Sequence, residues 1–136
     1  MSDATGLADF VCGDLEILSI GINPSLHSVA SGYPFSSPRN RFWPAFNQSR
    51  LTEYIVEPSP ASLKELMTQD KIGFTDIVKR PTRGISELKA GEYRQGAQEL
   101  QLKLLEHGPS LAWFQGMTAD RSFLRYSQHN QQRELR

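Results

Sequence analysis

The sequence predicts an α/β fold of three layers, α/β/α, in which a mostly parallel central sheet is covered by helices on both faces. Three observations point to it. Mostly apolar runs at residues 15–22, 72–78 and 111–115, the first of them rich in β-branched residues, are bounded by turn residues, as buried strands are. Segments of helical spacing separate these runs, and strands that alternate with helices are joined by crossovers into parallel sheets. The length of 136 residues holds one domain of ordinary size and not two.

The elements follow in order. Residues 15–22, Leu-Glu-Ile-Leu-Ser-Ile-Gly-Ile, form the first strand, closed by Asn23-Pro24 because Pro24 disfavours helical backbone at Asn23. Residues 24–39, rich in Ser, Gly and Pro, read as a long loop, and loops of that length in compact domains tend to be functional. Asn40 then caps a helix through Phe42, Trp43 and Phe46 that reaches toward Leu51, with Pro44 tolerated only in its first turn. Residues 61–69 form a short helix and residues 72–78 the second strand, followed by the loop Lys79-Arg80-Pro81-Thr82-Arg83-Gly84. A helix is expected over residues 86–106, with Leu88, Tyr93, Ala97, Leu100, Leu104 and Leu105 on its apolar stripe and Gly108-Pro109 as the stop. Residues 111–115 are the third strand and residues 116–126 a further helix. Residues 1–126 are therefore assigned to one domain and residues 127–136 to a polar tail without core-forming period.

Composition narrows the function classes. Hydrophobic residues make up 38% and charged residues 22%, with 7 Phe, 4 Tyr and 2 Trp spread along the chain, which suits a packed core and excludes collagenous or low-complexity sequence. No apolar run approaches the roughly 18 residues of a membrane span, and Asp3 and Asp9 stand where a signal peptide carries basic residues. An intracellular protein, cytoplasmic or in the nucleoid, is the expectation, with no membrane partner. With the single Cys12 and the scattered His27, His107 and His129, neither a disulfide nor a zinc site is expected, and no cofactor or metal is implied.

The net charge of zero conceals a gradient, since residues 1–38 hold four acids and no Lys or Arg. Two basic groups stand out, Arg39 with Arg41, and Lys79 and Arg80 with Arg83. Such groups are either solvated surface or contacts to a nucleic-acid backbone. Ligands of parallel sheets bind beyond the carboxyl ends of the strands, where Asn23 and the loop 79–84 both fall. No GxGxxG or P-loop spacing supports a nucleotide-binding alternative.

The most informative residues are Gly21-Ile22-Asn23-Pro24-Ser25-Leu26, then Gly32-Tyr33-Pro34-Phe35, then Asn40-Arg41-Phe42-Trp43. Together with Gly73-Phe74-Thr75-Asp76-Ile77-Val78 and Arg80-Pro81-Thr82 they resemble the mismatch-specific uracil and thymine DNA glycosylases, a branch of the uracil-DNA glycosylase superfamily, over residues 15–125. By itself Asn23-Pro24 would read as an Asx turn ending a strand, and Phe35 as loop packing.

The resemblance implies a uracil-DNA glycosylase-like fold and a monofunctional, metal-free hydrolase. Its partner would be double-stranded DNA with a mismatched or damaged pyrimidine, and it would act as a monomer. Asn23 would position a water at the sugar carbon and Phe35 would stack on the flipped base. Backbone groups at Ile22 would bond the pyrimidine edge, Ser28 and Tyr33 would line the pocket, and Arg39, Arg41 and Lys79 would contact phosphates. Since an amide is a poor base, such a site works by orientation and leaving-group stabilisation. Phe42 and Trp43 are assigned to the core, and Asn40 to a cap that also fixes the pocket loop.

Two departures from the family pattern stand out. Ser25 replaces a Gly, which a loop absorbs if φ there is negative. After Gln115 there is no second Asn-Pro-Ser element, the family's loop that fills the space left by the flipped base and reads the opposing guanine. A C-terminally shortened member is therefore expected, with an uncovered sheet edge costing about 1.5 to 3 kcal/mol for each large side chain left exposed. The alternative function is a catalytically silent, truncated DNA-binding chain with weak, salt-sensitive affinity.

Overall fold

The computed structural model describes residues 6–127. β1 spans Ile17–Gly21 and is followed by α1 (Leu26–Ser31), α2 (Phe42–Ser49) and α3 (Pro60–Gln69). β2 (Ile72–Asp76) leads through a 3-10 turn (Ile85–Glu87) to α4 (Ala90–His107), then β3 (Leu111–Phe114) and α5 (Met117–Ser127). Apart from Ser127, which ends α5, the polar tail expected over residues 127–136 lies outside the described residues.

The three strands are parallel in the order β2-β1-β3, with Ile17 opposite both Ile72 and Leu111. The chain moves one way across the sheet from β1 to β2 and the opposite way from β2 to β3. Crossovers of one hand then place the connecting helices on opposite faces, which produces the three layers. Strand alternation fits this arrangement. Leu18 and Ile20 enter a core with Ala97 and Leu100 of α4 and with Ala119 and Phe123 of α5. Ile17, Ile72 and Phe74 face the other core, built on Trp43 and Phe46 of α2 and Leu63 and Leu66 of α3.

Local chemistry explains the helix limits. Ser59 and Ser62 form a reciprocal capping box at the start of α3, with Pro60 in its first turn. α4 stops at Gly108, whose φ of 54° is left-handed. Gly96 lets α4 approach β2 closely, because a Cβ there would lie 2.1 Å from the Ile77 carbonyl oxygen.

Several expectations are corrected. The long loop contains α1, whose amide at Ser28 is capped by the Ser25 hydroxyl and which closes at left-handed Gly32. Ser25 itself has φ of −78°, so the replacement of Gly is free of strain and supplies a cap. α2 ends before Leu51, with Arg50 in the left-handed region. The helix expected from residue 86 starts at Ala90, since the 3-10 turn precedes it. Leu105 is 75% exposed, so the apolar stripe of α4 runs through Tyr93, Ala97, Leu100 and Leu104 without it. The second strand is assigned only to Asp76, but Ile77 and Val78 continue its bonding by donating to the carbonyls of Gly21 (2.9 Å) and Ile22 (2.8 Å).

Candidate active site

The carboxyl ends of β1 and β2 are laced together. Beyond the ladder, the Thr82 amide donates to the Pro24 carbonyl at 3.3 Å and Ser25 bridges Thr82. This lacing places Asn23 against the loop after β2. Asn23 Nδ2 donates to the Arg80 carbonyl at 2.8 Å and to Thr82 Oγ1 at 2.9 Å. A backbone carbonyl only accepts, so the amide must turn its NH2 group to that loop, leaving Oδ1 for the cavity beside it. Thr82 in turn donates to the Gly84 carbonyl at 2.9 Å.

The loop is itself anchored. Arg80 donates from Nε to Glu92 Oε1 at 2.8 Å, and from Nη2 to Glu92 Oε2 at 3.0 Å and the Glu87 carbonyl at 2.9 Å. The paired guanidinium holds the Glu92 carboxyl below its usual range. Thus α4 restrains Arg80, whose carbonyl restrains Asn23.

Two cavities open here. The smaller, about 130 Å³, is lined by Asn23, Pro24, Ser25, Ser28, Pro34, Phe35, Asn40 and Asp76. The larger, about 590 Å³, is an apolar groove between α2 and β3 that includes Phe42, Phe46, Trp113 and Gln115. Phe35 and Asn40 line both, so the Phe35 ring stands between them. Its backbone is left-handed at φ 60°, an uncommon conformation for an aromatic residue, and it must be held by its surroundings. Two contacts hold it. Trp43 Nε1 donates to the Pro34 carbonyl at 2.9 Å, and the Phe35 ring stacks on Phe42 at 4.2 Å between centroids.

The structure brings together Asn23, Ser28 and Phe35 around the small cavity. Ser28 is buried and its hydroxyl joins those of Ser25 (3.1 Å) and Ser36 (3.5 Å), which ties α1 to the pocket loop. Tyr33 does not line either cavity; it packs against the Trp43 and Phe46 core. Ile22 sends its side chain to the core on the opposite face of the sheet, and its carbonyl is taken by Val78. The N-cap of α2 is Arg41 rather than Asn40; from one position earlier, Asn40 Oδ1 accepts from the Phe42 amide at 2.8 Å, and Asn40 borders the pocket. Trp43 is buried as expected, whereas Phe42 is half-buried and contributes a wall of the groove.

The basic residues separate. Arg39 and Arg41 are exposed, and Arg41 borders the groove. Lys79, expected at a phosphate, is instead held inward, with Nζ 2.6 Å from Asp9 Oδ1 and 3.9 Å from Asp76 Oδ2. Asp9 also takes Lys103 Nζ at 2.6 Å and the Thr75 hydroxyl at 2.7 Å. Burial raises the Asp9 carboxyl, but the two lysines outweigh it and hold the group below its ordinary value. The sequence alone does not reveal that Thr82 holds Asn23 or that Asp76 lines the small cavity. The Arg-Pro-Thr element was visible, but nothing in it shows that a threonine 59 residues away orients Asn23. Among the described residues no group of three His, Cys, Asp or Glu gathers to hold a metal, and no helix is long and apolar enough to cross a membrane.

Comparison with known proteins identifies what the chain resembles. Residues 8–135 match the family model of the uracil DNA glycosylase superfamily. Over 109 residues, covering 80% of the chain, the sequence is 31% identical to a G/U mismatch-specific uracil DNA glycosylase of Schizosaccharomyces pombe. The matched region is 33% of that relative's length, so the chain spans about one third of the curated relative.

Proposed function

The chain belongs to the uracil DNA glycosylase superfamily, and from that premise we propose that it excises uracil, or a related damaged pyrimidine, from G·U or G·T-type mismatches in double-stranded DNA. The bond hydrolysed is the N-glycosidic bond, and the protein acts as a monofunctional hydrolase. One observation carries the reading. Asn23 is locked by two N–H bonds to the loop after β2, so its Oδ1 is presented to a cavity that Phe35 also lines.

An extruded base enters against Phe35, and Asn23 Oδ1 accepts a hydrogen bond from a water aimed at the sugar carbon. The water's oxygen bonds to that carbon as the bond to the base breaks, and the electron pair leaves with the base. Because an amide takes no proton at neutral pH, rate comes from placement and from stabilising the departing base. Ser28 shapes the pocket, the backbone at Ile22 meets the pyrimidine edge, and Tyr33 supports the pocket from the core behind it. Arg39 and Arg41 are the phosphate contacts this geometry favours, since Lys79 is engaged by Asp9.

A second reading has its own observation. Among the described residues no strand pairs with the outer edge of β3, and Leu111 there is 54% exposed. That suits a catalytically silent chain that binds DNA without driving a base out of the duplex. A single-turnover assay on a duplex with one central G·U pair, with Asn23→Ala as control, separates the two. Asn23-dependent release of uracil supports excision; a folded protein that never cleaves at enzyme excess supports the silent chain.

A further inference from the structure

The Asn23 side chain turns about single bonds and is half-buried, so the direction of its Oδ1 is set by what its Nδ2 meets. One of those partners is the Arg80 carbonyl, at 2.8 Å. Arg80 lies past the end of β2 and before the 3-10 turn, so no helix or strand fixes that carbonyl. Connecting segments are the more mobile parts of a fold, and an amide anchored to one is only as steady as the segment itself.

The Arg80 side chain supplies the missing restraint. Its guanidinium makes two side-by-side bonds to Glu92, Nε to Oε1 at 2.8 Å and Nη2 to Oε2 at 3.0 Å, and Nη2 also reaches the Glu87 carbonyl at 2.9 Å. A planar group held at three points cannot swivel as a singly bonded one does. Glu92 is fixed in turn, because it sits in the first turn of α4 and its Oε2 accepts from the Lys89 amide at 3.1 Å. Arg80 is therefore tied at both ends, its side chain to α4 and its carbonyl to Asn23. The pair is open to solvent, with side chains 47% and 28% exposed, and exposed ion pairs stabilise a fold little. Neither side chain lines the small cavity.

We propose that Arg80 and Glu92 are a positioning pair for excision: by clamping the loop after β2 to α4 they keep the Arg80 carbonyl on Asn23 Nδ2, and so keep Oδ1 aimed at the attacking water. The inference rests on the glycosylase reading of the pocket. Without the clamp the carbonyl shifts, the amide samples other rotamers, and the fraction of complexes with a correctly placed water falls. DNA affinity does not depend on that aim, so only the chemical step suffers. The guanidinium serves α4 and not a phosphate.

The test is single-turnover excision of uracil opposite guanine with enzyme in varied excess, which separates the maximal rate from the half-saturating concentration. Circular dichroism first confirms that each variant is folded. Arg80→Ala and Glu92→Ala should each lower the maximal rate by about 10- to 100-fold and leave the half-saturating concentration unchanged. The double variant should be no slower than either single one, and Glu92→Gln, which keeps one acceptor for the guanidinium, should fall between Glu92→Ala and wild type. In an Asn23→Ala background, removing Glu92 should cost nothing further, since both changes disable the same step. A loss confined to Glu92→Ala would assign the residue to capping α4, a rise in half-saturating concentration would make Arg80 a DNA contact, and a loss that adds to that of Asn23→Ala would mean general damage; each overturns this inference alone. No excision by the unaltered protein overturns the glycosylase reading and this inference with it. A second readout needs no turnover. In nitrogen-15 NMR the Asn23 side-chain amide, identified by its absence from Asn23→Ala, should exchange slowly with water in the wild type and rapidly in Arg80→Ala. Equal exchange in the two proteins would show that the clamp does not hold Asn23.

Discussion

β2 and β3 both pair in parallel with β1, yet β2 is buried at all five positions while β3 is exposed at Leu111 and half-buried at the other three. The outer edge of β2 is sealed by Phe10, which exchanges two 2.9 Å backbone bonds with Phe74. The outer edge of β3 has no paired strand among the described residues. The chemistry follows the same division. Every side-chain anchor of Asn23 comes from the loop after β2, whereas β3 and the residue after it contribute Trp113 and Gln115 to the apolar groove. The role proposed for Asn23 needs rigid support, which the buried side of the sheet provides; the apolar groove beside β3 provides surface instead.

The comparison is broken most decisively at Asn23. Asn23→Ala should lower single-turnover excision on the order of 10³-fold while shifting unfolding free energy by about 1 kcal/mol, the scale of lost solvent-accessible hydrogen bonds. Rate and urea denaturation on the same samples check both halves, and a loss under tenfold would detach the chemistry from the β2 side.

Next comes the close approach of α4 to β2. Gly96→Ala places a methyl group 2.1 Å from a backbone oxygen that cannot move without shifting the strand, and should cost about 3 kcal/mol or more in urea denaturation. Wild-type stability in this variant would mean that the β2 side is looser than its burial indicates.

Asp76 sharpens the contrast through pH. Its folded-state titration, near 6, lies above the ordinary 3.8, so its stabilising contribution is full below about 3.8 and is lost as pH rises through 6. At pH 7 the protein bears the cost of a buried charge. Asp76→Asn should therefore be more stable than wild type at pH 7 by on the order of 1–3 kcal/mol, with the difference vanishing toward pH 4. Asp9 acts with the opposite sign, since its lowered titration gives stability present above 3.8 and lost as pH falls below it. Thermal unfolding of both proteins across pH 3 to 8 reads the two slopes.

The smallest effect is expected on the open side. Leu111→Lys removes an exposed leucine from the edge strand and should change unfolding free energy by less than about 0.5 kcal/mol. A loss comparable to that of Gly96→Ala would show that the β3 edge is covered in solution.

Strands and their punctuation were legible because mostly apolar runs stand between turn residues, and all three runs hold the strands. Asn23 and Phe35 were legible through the Gly-Ile-Asn-Pro and Pro-Phe elements, and both line one cavity. α1 was not legible, since its six residues are too few for a period to stand out, bury only Ser28, and depend on the Ser25 cap and on Gly32. Nor was the engagement of Lys79, because Asp9 reaches it across 70 residues of chain.

The sequence by itself determined the alternation of strand and helix, the buried runs and the family, since local period, turn chemistry and motif spacing are written along the chain. Only the tertiary structure decided which side chains face the pocket. Oriented amides and shared cations arise from groups brought together across the sheet, so the lock on Asn23 and the sharing of Lys79 between Asp9 and Asp76 exist only once β1 and β2 pair.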